Sequence, residues 1–120
     1  MYLSKVIRKD LLDKRITDCL KGNYIYKMHK PESEKCEVYV EYIIIRENEK
    51  NFAGNKNLMI EGLIQIDVFS LDGKKTAETM NIIKEVLKEN GYTFDYGTEK
   101  YEEDTSLYSE KIRVYKEVFI

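Results

Sequence analysis

Residues 59–90, MIEGLIQIDVFSLDGKKTAETMNIIKEVLKEN, decide the fold. Ile60, Gly62, Ile64, Ile66 and Val68 alternate with Glu61, Leu63, Gln65, Asp67 and Phe69. A period of two rich in β-branched residues predicts a strand with one face on a core. Leu71-Asp72-Gly73 is a turn signal, and beyond it the period changes. Ala77, Met80, Ile83 and Leu87, flanked by Val86, form a helical stripe, while Lys75, Glu78, Lys84, Glu85 and Lys88 face outward. Gly91 is placed to end the helix as its left-handed residue. A strand of about ten residues spans roughly 33 Å and a helix of about sixteen spans roughly 24 Å. The helix is thus long enough to cover much of one sheet face.

Working outward, residues 38–46 (VYVEYIIIR) predict a second long strand. Val38, Val40, Tyr42 and Ile44 lie on one side and Tyr39, Ile43 and Ile45 on the other. A strand apolar on both faces is covered twice, or one face meets another subunit. Residues 47–57 (ENEKNFAGNKN) are polar and asparagine-rich, which predicts an exposed, mobile loop with Phe52 as its large apolar side chain. Upstream, Leu3, Ile7 and Leu11 share one helical line, whereas Leu12, Ile16, Cys19 and Leu20 share another. This register change predicts a helix capped by Ser4, a break near Asp13, and a short second helix ended by Gly22. Residues 24–26 predict a short strand, and 29–36 (HKPESEKC) a polar connection. Downstream, residues 92–100 and 107–119 alternate as a hairpin around the acidic turn Glu102-Glu103-Asp104. The expected fold class is α+β: a single domain, residues 1–120, with a largely antiparallel β-sheet and helices packed on one face.

Charged residues make up 35% of the chain and nearly cancel, leaving a net charge of −2. That balance argues against disorder and against nucleic-acid recognition, which shows as a basic patch. No apolar run is long enough to span a membrane, and the N-terminus lacks the apolar block of a signal peptide, so the expected compartment is intracellular. Cys19 and Cys36 read as small apolar residues there; a disulfide between them stays open. Ten tyrosines and no tryptophan suit half-buried sheet faces and subunit contacts, or plain β propensity. The six glycines are scattered, which excludes a phosphate loop; there is no Cys-x-x-Cys and no His pair. His29 stands alone in a polar stretch and reads as a surface histidine. The acidic run 102–104 lacks calcium-loop spacing. The expectation is no enzyme: no catalytic, cofactor-binding or metal-binding residue.

In its second half the chain resembles a known family. GLIQIDVFS, a glycine-containing turn, the helix ETMNIIKEVLKENGY and then YEEDTSLYSEKIRVYKEVF resemble the tail terminator (tail completion, or tail-to-head joining) proteins of long-tailed phages and prophages. The carrying segments are Gln65 to Phe69, Leu87 to Tyr92 and Tyr101 to Tyr108; an N-terminal helix, Ile25-Tyr26, a proline loop and Tyr42 to Ile44 follow the same order. Ser109 stands where members often carry a histidine after the tyrosine.

The resemblance implies a structural virion-assembly role without chemistry. Members form a hexameric ring on the end of the tail tube, stop its polymerisation and present a surface to the head connector. The implied partners are therefore further copies of the chain (a homo-hexamer, with a monomer allowed in solution), the major tail tube protein and the head–tail connector protein. The implied location is the bacterial host cytoplasm during assembly and then the virion tail. Another head–tail connector or stopper protein, or a small non-viral α+β binding adaptor, are the alternative readings. A closed ring needs two different patches per subunit. The candidate interface residues are Tyr39, Ile43, Ile45, Phe52, Leu63, Phe69, Tyr115 and Phe119.

Overall fold

The computed structural model describes residues 2–33, 35–51, 58–103 and 106–119, with the backbone alone at residues 51 and 96. The chain runs α1 (Tyr2–Leu11), α2 (Lys14–Leu20), β1 (Ile25–Lys27), β2 (Val38–Asn51), β3 (Leu58–Ser70), α3 (Gly73–Glu89), β4 (Thr93–Glu102) and β5 (Leu107–Phe119). The strands form one sheet in the order β1-β2-β3-β5-β4. All pairings are antiparallel except that of β1 with β2. The α+β class and the largely antiparallel sheet follow the sequence pattern.

The alternation in β3 works as expected: Ile60, Ile64, Ile66 and Val68 are buried beneath the helices, in rows with Val38, Val40, Tyr42 and Ile44 of β2 and Ile112 and Val114 of β5. Met80, Ile83, Val86 and Leu87 of α3 close over them, and Leu3, Ile7 and Leu11 of α1 with Ile16 and Leu20 of α2 complete the core. α3 begins at the Asp72 side chain, which accepts from the Lys74 amide at 2.9 Å. It ends with Gly91 at φ 83°, a conformation that favours glycine. Asp13 breaks the N-terminal stretch as the expected position: its carboxylate caps α2 by accepting from the Arg15 amide. Arg15 then reaches Glu89 at 2.6 Å, and the Tyr92 hydroxyl donates to Asp10 at 2.7 Å, tying both short helices to the end of α3.

Two expectations need correction. Residues 47–51 are not loop but the end of β2, paired through Asn51 with Leu58; polar composition misled because that end of the strand carries few apolar residues on either face. Residues 52–57, and with them Phe52, lie outside the described residues. Ser4 does not cap α1, which begins at Tyr2 and buries Ser4. Its first amides are met from across the fold: Glu47 accepts from Leu3 N at 2.7 Å and from Tyr2 N at 3.2 Å. A β-bulge makes this reach feasible. The register shifts between Ile44 and Arg46, so Arg46 faces Leu63 and Glu47 faces Gly62. Strict alternation would have turned Glu47 away from the helices.

Candidate functional site

All three helices pack on one side of the sheet. On the other the described residues place no helix or strand, and His29 and Lys30 of the β1–β2 connection lie against Glu41 and Tyr39 at one end. That uncovered face is the candidate site. Its rows follow from the strand register: Tyr39, Phe69 and Ser109 in one; Glu41, Asp67 and Lys111 in the next; then Ile43, Gln65 and Arg113; then Leu63 and Tyr115; and at the far end Met59 and Phe119.

One end is aromatic. Tyr39 and Phe69 stack with ring centroids 5.0 Å apart, and Tyr26 meets Tyr39 edge-on at 6.5 Å. The Lys30 ammonium lies 5.3 Å from the Tyr39 ring. Burial foremost, with Glu41 nearby, pushes the Tyr39 phenol up to about 12. Beside it a cleft of about 650 Å³ opens between His29, Cys36, Tyr39, Leu71 and Leu107. Its only imidazole, His29, is 82% exposed and lies 3.3 Å from Glu41 Oε2, the arrangement of a surface pair rather than of a buried general base.

The middle of the face is polar and ordered. Arg113 Nε donates to Gln65 Oε1 at 3.2 Å, and Gln65 Nε2 donates to Asp67 Oδ2 at 3.2 Å. Burial raises the Asp67 carboxyl, against the opposing effects of Gln65, Lys111 and Arg113. Toward the far end, the Tyr115 hydroxyl donates to Glu61 and stands 2.8 Å from Glu117 Oε1. Lys50 Nζ lies 3.0 Å from Glu61 Oε1. The Tyr115 hydroxyl first, and Lys50 after it, hold the Glu61 carboxyl below its ordinary range.

The structure places Tyr39, Ile43, Leu63, Phe69, Tyr115 and Phe119 on this face. Ile45 is the extra residue of the bulge and is exposed. The apolar members do not form one patch. Phe69 and Leu63 are about 20 Å apart along β3, separated by the Asp67 and Gln65 rows. Sequence alternation already set Gln65 and Asp67 on the side of Leu63 and Phe69; what it did not show is the strand order, which places Asp67 beside Lys111 and Gln65 beside Arg113. Among the described residues, no group of three or more His, Cys, Asp or Glu side chains is arranged to hold a metal ion, and Cys19 and Cys36 form no disulfide with each other. Among the described residues no helix is long and apolar enough to cross a membrane.

No protein-family profile matches the chain, and no curated protein matches it. In fold the chain is similar to one from a solved assembly described as the virion of native gene transfer agent (GTA) particle. The TM-score is 0.70 over 95% of this chain and 92% of that one, at 12% sequence identity. At that identity the likeness speaks for the fold.

Proposed function

We propose that this chain is a structural virion-assembly protein of the tail terminator kind, which closes as a ring on a tail tube, stops tube growth and joins tail to head. The observation that carries the reading is the fold likeness to a virion chain across nearly the whole length of both. It agrees with the segment resemblance through Gln65 to Phe69, Leu87 to Tyr92 and Tyr101 to Tyr108. The site supports it too: a face with stacked aromatics, isolated aliphatics and fixed ion pairs suits protein contact. On this reading the whole of residues 1–120 is one tail-terminator-like domain. Its partners are further copies of itself, the tube protein and the head connector, met in the host cytoplasm and kept in the virion tail.

The test is tube assembly. Tail tips and tube protein are polymerised without the chain, with wild type, and with Phe69→Asp, and lengths are read by electron microscopy. Wild type gives fixed lengths and rings on tube ends. The variant, folded by circular dichroism, gives uncontrolled long tubes. If wild type neither caps tubes nor forms rings, the terminator reading is wrong and a connector or adaptor role replaces it.

A further inference from the structure

We propose that the uncovered sheet face also pairs with the same face of a second copy, across a twofold axis that runs parallel to the strands between β3 and β5. This does not depend on the virion reading. The direction of charge across the two central rows carries the pairing. Asp67 on β3 lies beside Lys111 on β5, and Gln65 on β3 beside Arg113 on β5. All four side chains are half-buried on the side of the sheet opposite the helices.

Two sheets laid face to face can be related by an axis along the strands or across them. An axis along the strands exchanges β3 with β5 within each row. Each Asp67 then lies over the Lys111 of the other copy, and each Gln65 carbonyl over the other Arg113. Leu63 meets Tyr115 in the neighbouring row. An axis across the strands lays β3 on β3 and β5 on β5, which sets the carboxylate side against itself and the two cations against themselves. Interfaces avoid such like-charge contact, and the charges therefore select the first arrangement.

The geometry of sheet packing removes the one conflicting row. Glu61 and Glu117 are also cross-strand neighbours and would set carboxylate over carboxylate. They lie about 17 Å along the strands from the central rows, and a crossing of roughly 30° swings the strands about 8 Å apart at that distance. The area is sufficient. Four strands about 4.8 Å apart and about 34 Å of their length give on the order of 650 Å² per copy, or about 1,300 Å² in total, within the range of specific interfaces.

Sedimentation velocity of the full chain at low to high micromolar concentration is expected to show a reversible dimer. Asp67→Lys alone and Lys111→Asp alone are each expected to raise its dissociation constant at least about tenfold. Mixing the two variants is expected to restore a one-to-one heterodimer, visible by native mass spectrometry, because each reversed charge meets its opposite on the other chain. A role confined to the ion pair within one sheet predicts no such rescue, since each variant keeps like charges side by side. A wild-type chain that stays monomeric, a closed ring in place of a dimer, or a mixture of folded variants that does not pair overturns the proposal. The wild-type measurement needs no substitution and decides alone if either variant fails to fold.

Discussion

A methyl group at position 62 would stand 2.2 Å from the Arg46 carbonyl oxygen and 2.6 Å from Leu3 Cδ1. That close approach explains a glycine in the middle of an isoleucine row: it lets α1 lie against the sheet where the bulge brings the β2 backbone inward. Elsewhere in the core the requirement is the opposite. Ile66 and Leu87 are both fully buried, one from the sheet and one from α3. Truncation of either to alanine removes apolar contact and leaves a cavity between the sheet and α3. Ile66→Ala and Leu87→Ala are each expected to cost about 2–5 kcal/mol. Urea titration reads this as a lower midpoint at unchanged slope. Unshifted midpoints in both variants would mean that the two faces of the sheet have been assigned the wrong way round.

At the scale of elements, the sequence exposed what repeats and hid what is supplied from a distance. β3 and α3 were legible because their periods, two and then near 3.6, each run for several repeats between clear stop signals. The break at Asp13 was legible because a side chain caps the amide two residues ahead, a local event. The start of α1 was not, since its capping carboxylate sits 44 residues away, on a strand whose register is changed by a bulge. The uncovered face was half legible. Alternation assigned Leu63, Phe69, Tyr115 and Phe119 to it, but the lateral order β2-β3-β5-β4 that sets Asp67 beside Lys111 is a property of pairing between distant segments. The Glu47 cap is open to direct test. Glu47→Ala strips two helix amides of their acceptor and removes a negative charge from the positive end of the helix dipole. The expected loss is about 1 kcal/mol, together with weaker helical circular dichroism. A variant as stable as wild type would mean that water serves the Tyr2 and Leu3 amides equally well.

The whole molecule is long, 53 × 26 × 26 Å, with helices on one side and strands open on the other. Its protection is correspondingly uneven. β3 is hydrogen-bonded to β2 on one side and to β5 on the other along almost its entire length. β4 is bonded only to β5, and β1 shields β2 only from Val40 to Tyr42. An interior strand opens only when its neighbours separate, whereas an edge strand frays by itself, so opening free energies rise from the edges toward β3. Hydrogen exchange of the dilute free chain is therefore expected to be slowest across Ile60 to Val68 and fastest, among the strands, across Thr93 to Glu102. Pairing through the open face leaves this order intact, because that contact is made by side chains and adds no partner to the backbone of β4. Pairing through the sheet edges changes it, because a strand from another copy satisfies the free amides of β4 directly. If the exchange of β4 slows with protein concentration to the level of β3, copies join edge to edge and the open face is left for a different partner.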